Sequence, residues 1–116
     1  MSSKVLFRLD YLKEIGSGNA DFIKSIIEMY IEDAPKNLSA IKDALQIKDY
    51  KAVKLHAHKL KSSSRALHAE VLALIAADIE VVALNNNDVE IAVLINKLEQ
   101  PLQDLTKALL AHLANS

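Results

Sequence analysis

The chain has no cysteine and no tryptophan, and in 116 residues it has only two glycines and two prolines. Each shortage excludes something. Without cysteine there are no disulfides and no thiolate metal sites, and the composition suits a reducing cytosol. With so few breakers the chain must consist of few, long elements. Aromatics make up 4% of the residues although hydrophobic residues make up 51%, so the core has to be built from Leu, Ile, Val and Ala, a composition of packed helices more than of sheets. No apolar run approaches the roughly 20 residues of a membrane span, and residues 1–20 lack the unbroken apolar stretch of a secretory signal. A cytoplasmic protein is expected. Fourteen Lys and Arg face fifteen Asp and Glu, a net charge of -1, too balanced for a protein that coats nucleic acid or an anionic membrane. The length fits one domain over residues 1–116.

What is present is helical periodicity. Phe7, Leu9, Leu12 and Ile15 predict a short helix beginning at Asp10 as N-cap and stopping at Gly16 in the left-handed conformation. From Asn19, a second N-cap, the stripe Ile23, Ile27, Tyr30, Ala34, Leu38, Ile41 and Leu45 continues past Pro35, which predicts one long helix kinked there instead of two. Asp49 caps the next helix, about Tyr50 to Leu67, and His68 marks a break. Leu72, Ile75, Ile79 and Val82 form a further stripe, closed by the polar run Asn85 to Asp88. Asn87 with Glu90 resembles a capping box, opening a last helix whose face is Ile91, Leu94, Leu98, Leu102, Leu105, Leu109 and Leu113, bent at Pro101. The expected fold is all-α: an up-and-down antiparallel four-helix bundle with a short additional N-terminal helix. The stripes balance within one bundle, so a monomer is expected.

Four histidines are available for chemistry. His56 and His58 are separated by about 200° around a helix, so His56 turns toward the buried side near Leu60 and Leu67 while His58 turns away. Chelation along a helix needs residues three or four apart, and no metal site is expected. His112, near the end of the last helix, suits the helix dipole. At about 100° per residue, Lys54, Lys61, Ser62 and Arg65 lie within roughly 60° of His58, whereas Val53, Ala57, Leu60, Ser64 and Leu67 form a separate, core-facing stripe. A solvated histidine beside lysines is ordinarily just surface. Here, however, the arrangement meets the needs of a phosphoryl acceptor. Ser62 is small enough to leave an open line to the ring nitrogen. The cations Lys54, Lys61 and Arg65 favour a neutral ring with its lone pair free, and the same cations stabilise phosphoryl oxygens once the group is attached.

The segment Ala57-His58-Lys59-Leu60-Lys61-Ser62-Ser63-Ser64-Arg65-Ala66-Leu67 resembles the signature of histidine-containing phosphotransfer (HPt) domains, in which an Ala-His-x-Leu-Lys-Gly-Ser core carries the phosphorylated histidine. Leu12 to Ile15 with the Gly-Ser-Gly turn, and Phe22 to Leu45 with Pro35 inside, look like the family's first helix and long kinked second helix. The resemblance covers essentially the whole chain. It implies a phosphorelay intermediate that accepts a phosphoryl group on His58 and exchanges it with a receiver-domain aspartate or a hybrid histidine kinase. It further implies Lys61 as the phosphoryl-stabilising lysine and Ser62 as the small neighbour. Two positions depart from the pattern: Ser62 replaces the usual glycine, and His68 stands where a second glycine commonly separates two helices. Histidine tolerates the left-handed region better than most residues.

On this reading the chain is a phosphoryl carrier and not a free-standing enzyme. It has no ATP site and no cofactor of its own. No acidic cluster near His58 offers to hold a cation, so Mg²⁺ is expected on the receiver partner. Leu55, at the edge of the histidine face, and exposed parts of the first two helices are the expected docking contact, through a modest, transient interface. Two other readings compete. One is a helical docking or adaptor module that is never phosphorylated, for which the imidazole and Lys61 would have no use. The other is a metal-binding helical protein using His56, His58 and His68, against which the helical directions argue.

Overall fold

The computed structural model describes residues 6–115, which contain five helices and no strand. The single domain expected over residues 1–116 extends past the described residues at both ends. A short helix α1 (Asp10–Ile15) precedes α2 (Ala20–Gln46), α3 (Tyr50–Ala66), α4 (Glu70–Ala83) and α5 (Asp88–Ala114). At about 1.5 Å per residue the two 27-residue helices are about as long as the 42 Å principal extent of the molecule. They run its full length.

The long helices pack in a ring, α2 against α3, α3 against α4, α4 against α5, and α5 back against α2. Cross-helix pairs give the direction. Tyr30 meets Ser64 and Asn37 meets His56, so residue numbers rise along α2 as they fall along α3. This is the antiparallel up-and-down bundle that the periodicity predicts. The core takes Ile23, Ile27, Tyr30, Ala34, Leu38 and Ile41 from α2, with Ala44 more deeply buried than the expected Leu45. From α3 it takes Val53, Ala57, Leu60 and Ser64, followed by Leu67 just past the helix. On α5 Ile95 joins Ile91, Leu98, Leu102, Leu105 and Leu109, while Leu94 and Leu113 lie at the core edge. Pro35 and Pro101 both sit inside continuous helices. No described helix is long and apolar enough to cross a membrane.

Caps fix the helix starts. Asn19 accepts hydrogen bonds from the backbone N–H groups of Asp21 and Phe22, Asp49 from that of Ala52, and Asn87 from that of Glu90. Asp10 differs from expectation: it is the first helical residue, Leu9 occupies the cap position, and the Asp10 carboxylate accepts from Arg8 at 3.1 Å instead. The first helix stop also differs. Gly16 has φ -93°, and the left-handed residues are Ser17 and Gly18. Gly16 is required for another reason, because a Cβ there would lie 2.5 Å from the Phe22 ring and 3.0 Å from the Leu12 carbonyl. Lys48 and His68 also adopt positive φ, 56° and 50°. Past each, the next N–H reaches five residues back, Asp49 to Ala44 and Ala69 to Ser64, both at 2.8 Å. This is the Schellman closure, made here without glycine.

Locks at the two ends complete the bundle. At one, Leu9 and Leu12 are buried, the Arg8 N–H bonds the Leu67 carbonyl, and Phe7 meets the His112 ring edge-on at 5.8 Å. His112 lies in the last turn of α5 as expected, and aromatic packing is its structural contact. At the other, Asp88 accepts from Lys48 at 2.9 Å and from the Tyr50 hydroxyl, while farther along α5 Glu99 pairs with Lys42 of α2. Ser64 is the one buried polar residue among those described, and its hydroxyl is 2.8 Å from that of Tyr30. Burial pushes the Tyr30 phenol up to about 12, partly opposed by this hydrogen bond. Leu60→Ala should cost about 2 to 5 kcal/mol of stability in denaturant unfolding. Tyr30→Phe should cost about 1 to 3 kcal/mol, and Tyr30→Phe with Ser64→Ala less than the sum of the single changes, since each single change strands a hydroxyl.

Candidate functional site

The stripe that anchors α3 determines what the rest of the helix presents. Val53, Ala57, Leu60 and Leu67 are fully buried, so His58 comes out with its side chain 56% exposed. Lys54, Leu55, Ser62 and Arg65 are exposed around it. Lys54 and Arg65 form no ion pair among the described residues. The two other α3 features fall as the helical angles require: His56 is half-buried, its Nδ1 3.4 Å from the Asn37 side-chain oxygen on α2. His68 is left-handed at the break and lies 3.7 Å from Glu70. His56, His58 and His68 therefore have separate surroundings, and the described residues contain no cluster of three potential metal ligands.

One residue of this site escaped the sequence reasoning. Glu80, on α4, places Oε2 3.0 Å from His58 Nδ1 and Oε1 2.6 Å from Lys61 Nζ. Its side chain is only 15% exposed and that of Lys61 17%. The ring therefore touches an anion, not only the cations of its own helix, and Lys61 is engaged with a carboxylate instead of standing free. A signal existed. Glu80 follows the buried Ile79 and sits four residues beyond the buried Ala76 in a largely apolar helix, and an acidic residue close to a core stripe demands a cationic or hydrogen-bonding partner. What sequence could not supply was the register between α3 and α4.

The arrangement has two chemical consequences. An ionised carboxylate accepts only, so His58 donates Nδ1–H to Glu80 and its lone pair resides on Nε2. The nitrogen left for reaction is the one farther from the backbone on a half-exposed ring. Second, burial alone would raise the Glu80 carboxyl, but the hydrogen bonds and charges of Lys61 and then His58 outweigh it and hold the group below the usual glutamate value. A carboxylate depressed in the folded state adds stability that is complete above its unfolded value and is lost as the pH falls through the folded value. On acidification NMR should show the Glu80 carboxyl titrating below the ordinary glutamate range, with the His58 ring and Lys61 ammonium signals shifting in step. Titration of Glu80 above the ordinary glutamate range would contradict the geometry.

Similar proteins share this architecture. A family model described as the Hpt domain matches residues 25–115. The phosphorelay intermediate protein rdeA of Dictyostelium discoideum is 26% identical over 80 residues, covering 69% of this chain and 32% of that protein. The chain thus spans about a third of the length of this curated relative. Among solved structures, the histidine-containing phosphotransfer protein B (HptB) from Pseudomonas aeruginosa PAO1 has a TM-score of 0.88 at 19% identity, covering 98% of this chain and 99% of that one. The HPT domain of the Hpt sensor hybrid histidine kinase from Shewanella has a TM-score of 0.77 at 16% identity, covering 96% of each chain. At such identities the structural likeness speaks for the helical bundle, and the family model, matching most of the chain, speaks for kinship: the chain belongs to the Hpt domain family.

Proposed function

We propose that this protein is a histidine phosphotransfer intermediate of a two-component phosphorelay, with Nε2 of His58 as the atom that carries the phosphoryl group. One observation carries the assignment: an exposed imidazole on a rigid helix has its inner nitrogen tied to Glu80, which fixes the ring and leaves the outer lone pair open. Ser62, exposed one turn away, keeps the approach narrow-walled but open. Lys61, Lys54 and Arg65 supply positive charge for the phosphoryl oxygens, the last two from solvent and Lys61 by sharing itself between Glu80 and the phosphoryl group.

The partner is a response-regulator receiver domain or a hybrid histidine kinase, reached through the face that carries Leu55, itself 52% exposed. The encounter is transient, with an interface at the small end, below about 1,200 Å². The protein works as a cytoplasmic monomer, without nucleic acid or membrane. It is a carrier, and the receiver brings both the aspartate and Mg²⁺. The donor set here fits that division of labour, because both oxygens of the carboxylate nearest His58 are already taken by the ring and by Lys61. A bundle in this role lowers the barrier by positioning its nucleophile. A docking module that is never phosphorylated would have no use for a carboxylate that orients the ring.

Incubation with a phosphorylated receiver domain should leave an acid-labile, alkali-stable label on the protein. His58→Gln should abolish the label and lower stability by no more than about 1.5 kcal/mol, the net worth of one hydrogen bond. His56→Gln should keep it. Label persisting in the His58 variant would overturn the assignment.

A further inference from the structure

Glu80 contacts the ring at the nitrogen that the proposed transfer does not touch. Resting on that reading, we propose that Glu80 sets how readily the phosphoryl group leaves: it holds the proton on Nδ1 while the group sits on Nε2, so that the departing ring is a neutral imidazole.

The electron count shows why the proton matters. On arrival the Nε2 lone pair attacks phosphorus, the N–P bond forms, and the acyl phosphate P–O bond breaks with its electron pair remaining on the donor carboxylate. The ring now bears a phosphoryl group on Nε2 and a proton on Nδ1, and is formally cationic. On departure an acceptor carboxylate oxygen forms the new O–P bond, and the N–P pair returns to Nε2 to regenerate the Nδ1–H imidazole. Had Nδ1 lost its proton to water in between, the same step would expel an imidazolide anion, a much poorer leaving group. An anion at hydrogen-bond distance favours the protonated ring, and Glu80 Oε2 lies 3.0 Å from Nδ1. A neutral acceptor in that place would orient the ring equally well but would not oppose loss of the proton.

The other charges near the ring act in the opposite sense. Lys61, Lys54 and Arg65 all project from its own helix, and of these Lys61 is itself paired with Glu80. From α4 the charged group in contact is Glu80 alone among the described residues. On the opposite flank of α3, α2 meets His56 and Ser64 through Asn37 and Tyr30, and among the described residues the hydrogen bond and ion pair of the His58 ring are to Glu80. Glu80 is thus the single anion arranged to keep the ring protonated, and mostly buried, so its effect is screened little by salt. It acts through His58 and is a positioning residue in that sense.

The test is Glu80→Gln, which preserves shape and a hydrogen-bond acceptor while removing charge. Phosphorylated wild type and variant are mixed with a receiver domain, and the transfer rate is followed across about pH 6 to 10. The two profiles should converge at the acid end. The variant's rate should fall with rising pH about one unit earlier, leaving it about tenfold slower at the alkaline end. In parallel, nitrogen-15 NMR of the phosphorylated ring should show Nδ1 protonated to higher pH in the wild type. Coincident profiles, or slowing by one factor at every pH, would overturn the inference while a label on His58 upheld the carrier reading. Absence of label from wild-type His58 would overturn both.

Discussion

The closeness of α3 and α4 is the constraint on which the site depends. These two helices share the most extensive contact in the bundle, and alanines are frequent among their buried residues: Ala57 on α3, and Ala73, Ala76 and Ala83 on α4 beside Leu72 and Ile79. Small side chains let helix axes approach toward the near end of the usual 8 to 10 Å spacing, roughly speaking. Only then can a glutamate, whose carboxyl lies three bonds from its Cα, reach both an imidazole and an ammonium on the facing helix. Bulky residues at Ala57 or Ala76 would keep the bundle apolar yet move Glu80 out of reach of His58. The chemistry is therefore set by how little is packed at the seam as much as by which polar groups border it.

Most of the fold can be read from the sequence because it rests on local signals. Asn19, Asp49 and Asn87 cap their helices through their own side chains, and the stripe Val53, Ala57, Leu60, Ser64 and Leu67 is buried as its spacing requires. Even the unbroken course of α2 through Pro35 follows from the continuity of its apolar face. The misses are of another kind. Gly16 looks like a left-handed helix stop, but its place is dictated by Phe22, six residues on, whose ring fills the space of a Cβ. Asp10 looks like a cap and is drawn instead to Arg8. Glu80 is twenty-two residues from His58, and no periodicity within either helix specifies which residues of the two will face each other. Exposure of His58 is a property of one helix and was legible. Its hydrogen-bond partner is a property of two and was not.

Rigidity of the site is supplied from a distance. The two three-residue connections that flank α3 each close with a non-glycine residue in the left-handed region, Lys48 and His68, at an energetic cost tolerated because the flanking backbone bonds are complete. At one end the Phe7 and His112 rings, with Arg8 bonded to Leu67, tie the N-terminal segment across the connection that follows α3. At the other, Asp88 gathers Lys48 and Tyr50, so that the connection before α3 is fastened to the start of α5. The helix bearing His58 is pinned at both its ends. For a nucleophile whose whole contribution is its position, an error of about 1 Å costs far more than the loss of a surface contact.

Charge on α3 is divided by depth, and the division separates two tasks. Lys61, mostly covered, spends its charge on Glu80, where a low surrounding dielectric makes the pairing strong and its loss expensive. Lys54 and Arg65, in solvent, are only weakly committed to anything and are screened by salt at distances beyond about 10 Å. Exposed charges of that kind add little to stability but bias the approach of an anionic partner, raising the rate of encounter without lengthening its stay. A chain of net charge -1 thus presents exposed cations beside the histidine. A carrier must release what it receives, and the pattern suits that need: the deep lysine and glutamate hold the ring in one state, while the shallow cations attract partners without retaining them.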